Sequence, residues 1–310
     1  MEERISKSRI SFQGKLVGAG RPHAATDIGV VVVSFQSERT IVRCLDLLLV
    51  SPAVVRIVVV DNASVDGTMA LLKLMATTNP RISVVRDEDN RGFAAACNQG
   101  ASALSTPWVA FVNPDCFVRG DSLPRLVQHG LERVGAGLLG CNMIDEFGQS
   151  DPAARRRDPS LRELLGRGGG RDDLYLGRDP RQDLQAVEAV SGALMLMPLG
   201  LFLQLAGFDE NFHLHVEDLD LCRRTRKAGY EVLCANDITV VHVGGVSSRS
   251  RPVWVEWQKH TSLWRYFRKF ERSETAFALV PLLWLGLWAH FLLASVRALV
   301  RAASAPPIQR

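Results

Sequence analysis

No two of the six cysteines (Cys44, Cys97, Cys116, Cys141, Cys222 and Cys234) stand in a Cys-x-x-Cys pair. That scatter excludes a zinc ribbon and a disulfide scaffold, and predicts reduced thiols in a cytosolic setting. A strong charge of either sign is also missing. With 37 Lys and Arg against 33 Asp and Glu the net charge is only +4, which by itself argues for no nucleic-acid partner. The first 20 residues, MEERISKSRISFQGKLVGAG, lack the apolar core of a secretory signal and predict a loose tail. No Walker A sequence occurs and no internal repeat is evident. A literal G-x-G-x-x-G exists at Gly135, Gly137 and Gly140, but it leads into strand-like residues instead of joining a strand to a helix. It therefore fails as a dinucleotide fingerprint.

What is present is a core. Of 310 residues 47% are hydrophobic and 23% charged, a globular balance. GVVVVSF (29–35), VVRIVVVD (54–61), RISVVR (81–86) and WVAFV (108–112) are continuous apolar runs separated by helical patterns. Such runs predict an α/β protein with a mostly parallel sheet covered by helices on both faces. In an open sheet of this kind ligands bind at the C-terminal strand ends, where Asp61 and Asp115 both stand. From 148 to 185 the pattern dissolves into Gly, Arg and Asp, which predicts a mobile excursion with the composition of a lid. Order returns with VEAVSGALMLMP (187–198), GFDENFH (207–213), a helix from about Glu217 to Ala228, and EVLCANDITVVHVGG (231–245).

The runs VVVSFQS, VVVDNASVDGT, NRGFAAACNQG, FVNPD, SGALMLMP, GFDENFHLHVEDLDLCRRTRKAGY and VVHVGG resemble, in order and spacing, family-2 glycosyltransferases of the GT-A fold. They are most similar to the bacterial rhamnosyltransferase branch, over roughly residues 27 to 270. The resemblance implies transfer of a single sugar with inversion, L-rhamnose from dTDP-L-rhamnose, to a polyprenyl-diphosphate-linked or other glycan acceptor in cell-surface polysaccharide synthesis. Another nucleotide sugar (UDP- or GDP-linked) on the same machinery, or a non-catalytic nucleotide-sugar-binding scaffold, are the alternatives. The Gln-x-x-Arg-Trp motif of processive synthases is not matched at Gln258.

Sugar transfer must neutralise charge on a departing diphosphate, a task for Mg2+ or Mn2+ held by one or two carboxylates. Asp115 stands where the family carries Asp-x-Asp, with Asn113 replacing the first acid; a turn, or the cap of a helix starting near Asp121, would also explain it. The resemblance places His242 in the metal shell, Asp61 on the base with Ser34 and Phe35 flanking it, and Asn90 and Asn98 in the nucleotide pocket. For Asp61 an Asx-turn is the competing reading.

It also assigns Asp218 as general base beside Glu217, with Arg223 and Arg224 as candidates for a phosphate of donor or acceptor. An apolar wall formed by NFHLHV would raise the Asp218 pKa. Acids at a helix start, and solvent-facing cations one turn on, are the plainer explanations. His213, His215 and Glu217 alternate as a metal-binding strand might, but a helix start intervenes and no fourth ligand follows.

Residues 251–272 interleave Trp254, Trp257, Trp264, Tyr266 and Phe267 with Arg265, Arg268, Lys269 and Arg272, which suits a membrane boundary. An uncharged run of 20 residues, Ala276 to Ser295, follows. It would reach about 30 Å as a helix, the width of a bilayer core. The chain thus divides into a tail (1–26), a GT-A domain (27–250) and a basic, aromatic and apolar membrane-associated segment (251–310). The expected place is the cytoplasmic face of the plasma membrane, peripheral or with one C-terminal hydrophobic segment. The oligomeric state is not legible.

Overall fold

The computed structural model describes residues 23–159, 174–244 and 252–304. Most of the expected tail and the middle of the expected excursion lie outside the described residues.

Four strands alternate with three helices: β1 (Ile28–Ser34), α1 (Ile41–Val50), β2 (Val54–Asp61), α2 (Thr68–Thr78), β3 (Ile82–Arg86), α3 (Phe93–Ser102) and β4 (Trp108–Val112). Then come β5 (Cys116–Phe117), α4 (Ser122–Glu132), β6 (Ala136–Ile144), β7 (Leu184–Ala186), β8 (Leu194–Pro198), α5 (Leu199–Gln204), α6 (Glu217–Lys227) and β9 (Glu231–His242). Two helices close the chain, α7 (Pro252–Phe270) and α8 (Leu279–Ser304). The sheet runs β3-β2-β1-β4-β8-β6-β9-β5, with β7 on β9.

The half built from β3, β2, β1 and β4 is parallel throughout. The other half is mixed, because β8 enters antiparallel between β4 and β6 while β6 and β9 pair parallel. Side chains alternate strictly along β1: Ile28, Val30 and Val32 join the cluster under α1, α2 and α4, whereas Val31 and Val33 join the one under α3, α5, α6 and α7. A period of two with both faces covered is why every residue of β1 is buried and why the run reads as unbroken apolar sequence.

Two glycines set close approaches that position the site. A Cβ on Gly100 would lie 2.5 Å from Val31 Cγ1, so α3 seats directly on the sheet. Gly92 has φ +91°, and a Cβ there would come within 2.6 Å of the His213 carbonyl oxygen. The start of α3 therefore touches the loop that leads into α6, and Phe93 N–H donates to that same carbonyl.

The basic, aromatic stretch has two sides. Tyr266 and Phe270 of α7 belong to the second core cluster, while Trp254 and Trp257 are exposed. α8 leans on α7 through Trp257 and Trp288, with ring centroids 4.9 Å apart, and a His260–His290 hydrogen bond of 2.9 Å. Its Leu279–Val300 stretch has a mean hydropathy of 1.9 and almost none of it is buried, so by length and composition it could cross a membrane.

Candidate active site

Asp61 ends β2 fully buried, and its carboxylate is laced into the turn that follows. Oδ1 accepts from Ser34 Oγ (2.8 Å) and Ser64 Oγ (2.6 Å), and Oδ2 accepts from Ser64 N–H (2.9 Å). The turn reading is thus realised, and the same bonds bring Ser34 of β1 to Asp61. Gln36 and Ala63, both left-handed at φ 53° and 61°, mark this edge as strained backbone. Phe35 N–H donates to Ser37 Oγ at 3.2 Å. Asn90 Oδ1 accepts from Gly92 N–H at 3.0 Å. Asn98 is used elsewhere: its amide exchanges two hydrogen bonds, 2.8 and 2.9 Å, with the main chain of Phe208, clamping the loop before α6 onto α3.

Asn113-Pro114-Asp115 reverses the chain between β4 and β5. Asp115 does not cap a helix, since α4 starts at Ser122 with Asp121 at its head. β5 pairs Cys116 opposite His242, which brings the histidine to Asp115: Nε2 lies 3.4 Å from Oδ1. On the other side of the ring Nδ1 lies 3.7 Å from Asp151 Oδ2. Burial opposes charge on His242, yet the two carboxylates outweigh it and push its pKa up to about 9. His242 in turn holds Asp151 below the usual carboxylate range. Asp151 was not foreseen; it sits where the expected excursion begins and caps a short turn through Ala153 N–H.

A carboxylate and an imidazole nitrogen facing each other, with a second carboxylate behind the ring to orient it, form a donor set that fits a hard divalent cation. Among the described residues no group of three or more such ligands forms a closed cage. A cation here would complete its shell with ligand oxygens.

At the same end of the sheet, α6 opens on Glu217 and Asp218 after two consecutive left-handed residues, His215 (φ 66°) and Val216 (φ 75°). Asp218 Oδ2 accepts from Arg156 Nη2 (2.5 Å) and Gly192 N–H (3.0 Å), and Oδ1 from Leu219 N–H (2.8 Å). Burial works to raise the Asp218 pKa, but the guanidinium and the two N–H groups outweigh it and hold the carboxyl below its ordinary value. The expected rise therefore falls on the neighbour. Burial first, and the Asp218 charge second, push Glu217 up to about 8, and its Oε2 is sealed without a hydrogen-bond partner. The sequence argument failed because an apolar wall is only one influence, and the cation that reverses it comes from 62 residues upstream.

Asp115 and Asp218 are linked across the sheet. Asn113 N–H donates to the Ala193 carbonyl, and the preceding residue, Gly192, grips Asp218. Arg223 and Arg224 do not join them. Arg223 pairs with Glu271 and Asp158, and Arg224 with Asp220 (2.7 Å) and the Leu205 carbonyl (2.6 Å). One turn along α6 turns both side chains toward α7 and α5, so they serve the fold. His215 is kept neutral by burial, its pKa lowered to about 4.

Residues 29–178 match the family model described as Glycosyl transferase family 2. The chain carries a glycosyltransferase family 2 domain. It is 28% identical over 237 residues to the N-acetylglucosaminyl-diphospho-decaprenol L-rhamnosyltransferase of Mycobacterium tuberculosis, covering 69% of this chain and 75% of that one. Rhamnosyltransferase WbbL of Escherichia coli is 23% identical over 46% of this chain and 54% of its own length. Succinoglycan biosynthesis protein ExoO of Rhizobium meliloti is 37% identical, over 38% of this chain but only 33% of the relative. Among solved structures, mannosyltransferase PcManGT of Pyrobaculum calidifontis, in complex with GDP-Man and Mn2+, shares the fold at a TM-score of 0.57. Its identity is 21%, over 91% of this chain and 76% of that chain.

The glycosyltransferase also orders part of the stretch that reads as an excursion. Arg155 is buried and donates to Asn236 Oδ1 (2.9 and 2.5 Å) and Asn142 Oδ1 (3.2 Å). Arg156 exchanges two main-chain bonds of 2.9 Å with Ala189. Asp158, also buried, accepts from Tyr266 Oη of α7 at 2.5 Å and pairs with Arg226 and Arg223 of α6. Removing that carboxylate takes the acid from half-buried Arg226, leaves Arg223 with Glu271 alone and strips the buried Tyr266 hydroxyl of its acceptor. Asp158→Ala is expected to cost about 3 kcal/mol, the scale of a broken buried pair, read as a lower urea midpoint at unchanged slope. A change below about 0.5 kcal/mol would mean that the cluster behaves as an exposed ion pair.

Proposed function

We propose that this family-2 enzyme moves one L-rhamnose, with inversion, from dTDP-L-rhamnose to a polyprenyl-diphosphate-linked glycan acceptor at a membrane surface. The observation that carries the reading is the pairing of Asp115–His242 with a buried, ionised Asp218 at the same end of the sheet, joined through Asn113, Ala193 and Gly192. Similarity to a rhamnosyltransferase whose name specifies a decaprenyl-diphosphate acceptor supports the sugar and the lipid.

Asp61 and Ser34 mark the nucleotide end, and Phe35 and Asn90 border it. Asp115 and His242 would hold Mg2+ or Mn2+, whose charge offsets that developing on the leaving diphosphate. Asp218 accepts the proton of the acceptor hydroxyl as its oxygen attacks the anomeric carbon, and the nucleoside diphosphate departs with the electron pair of the broken bond. Glu217, neutral at pH 7, adds no second charge beside the base. α7 and α8 would hold this cleft at the height of a lipid-linked sugar, with Trp254 and Trp257 at the boundary and α8 in the apolar layer.

Cutting the chain after Thr275 removes α8 while retaining Glu271, the partner of Arg223. The truncated enzyme is expected to leave the membrane fraction and to lose most turnover on lipid-linked acceptor. Turnover on a short water-soluble acceptor should survive, because every group assigned to chemistry precedes Val243. Parallel assays on the two acceptors decide it: equal losses on both would make α8 part of the fold and sink the membrane reading.

A further inference from the structure

Glu217 and Asp218 are adjacent carboxyls, both buried at the head of α6, and two negative charges so placed repel. Only one has a cation. Arg156 Nη2 meets Asp218 Oδ2 at 2.5 Å, whereas Glu217 Oε2 has no hydrogen-bond partner among the described residues. The guanidinium is itself fixed. The same Nη2 donates to the Val190 carbonyl at 2.5 Å, the Arg156 main chain is bonded to Ala189, and the flanking Arg155 and Asp158 are anchored in Asn236 and Tyr266. With Gly192 N–H also on Oδ2 and Leu219 N–H on Oδ1, the carboxylate cannot rotate without losing several bonds, and Oδ1 keeps a lone pair to offer.

We propose that Arg156 is a positioning residue for the base: it assigns the negative charge to Asp218 rather than to Glu217, and it fixes the carboxylate so that Oδ1 meets the acceptor hydroxyl. The inference rests on Asp218 being the base. Arg156 keeps its own proton throughout; the only proton that moves passes from the acceptor hydroxyl to Asp218. The groups acting on this carboxylate are Arg156 from the segment after β6, Glu217 and Cys222 from α6, and His215 from the preceding loop, while Asp220 acts on Glu217 and Tyr175 on Arg156. Glu256 and Lys259 of α7 act on His215 behind it. Without Arg156, burial would favour the protonated form of Asp218. The acid limb of the rate profile would then move to higher pH.

The test is kcat/KM against pH for wild type, Asp218→Asn, Arg156→Gln and Arg156→Lys, with donor affinity by calorimetry on each. For Arg156→Gln the acid limb should rise by about one pH unit or more and kcat fall roughly 10²-fold, with donor affinity unchanged. Arg156→Lys should restore most of the limb. A limb that stays in place in Arg156→Gln, or a lysine no better than glutamine, overturns the proposal while leaving an inactive Asp218→Asn as support for the base. Wild-type turnover in Asp218→Asn overturns the base and the proposal together. If Arg156→Gln loses donor binding, and so reports a folding defect, Arg156→Lys decides: a limb kept near wild type supports the role, and one displaced by about a full unit overturns it.

Discussion

Replacing Asp218 by asparagine is expected to cut turnover roughly 10² to 10⁴-fold, the worth of a positioned general base. The substitution preserves size and keeps one oxygen to accept where Gly192 and Leu219 donate to two, but an amide cannot take up the acceptor proton. Donor affinity should hardly change, since the groups at the nucleotide end bond to one another and not to Asp218. The companion substitution separates the two adjacent acids. Burial pushes the Glu217 carboxyl up to about 8, so at pH 7 Glu217→Gln replaces a mostly uncharged group by an uncharged one and should retain most activity. Steady-state rates beside donor calorimetry read both. A dead Glu217→Gln with a live Asp218→Asn would exchange the roles of the pair.

Asp115→Ala should have an effect at least as large. The residue's carboxylate is the one that faces His242 across 3.4 Å, and no third acidic or imidazole ligand lies close enough to replace it among the described residues. Loss of cation support at a departing diphosphate is worth several kcal/mol, roughly 10³-fold or more in rate. The more specific signature is in binding: Mg2+ or Mn2+ should tighten the nucleotide-sugar complex of the wild type and leave that of Asp115→Ala unaffected. A variant whose donor binding still responds to the metal would move the cation site elsewhere.

How much of this was legible in the sequence depended on what orders each segment. β1, β4 and most of β2 are buried on both faces, so they read as continuous Val, Ile and Phe runs and their order and class followed directly. The direction of β8 was not legible, because LMLMP carries no signal that distinguishes a parallel from an antiparallel neighbour. Asp115 and Asp218 were picked out as candidates through turn chemistry, strand ends and resemblance, and the fold brings their segments into contact. Asp151 and Arg156 were missed. They lie in a Gly-, Arg- and Asp-rich stretch with no apolar period, and the described part of it is ordered by side-chain bonds such as Arg155–Asn236, which leave no pattern along the chain. The same limit reversed the sign expected for Asp218, since the flanking sequence shows the apolar wall and not the distant guanidinium. In α7 the alternation of cations and aromatics suggested only a membrane collar, yet Tyr266 and Phe270 of that run are core residues.

The most direct test is a donor panel offered to the full-length enzyme in membranes with a polyprenyl-diphosphate-linked acceptor, following release of nucleoside diphosphate. Metal-dependent release of dTDP from dTDP-L-rhamnose is the predicted result, with one sugar added per acceptor and no turnover in EDTA. Full turnover in EDTA, or no nucleoside diphosphate from any nucleotide sugar, would contradict metal-assisted sugar transfer at Asp115 and Asp218.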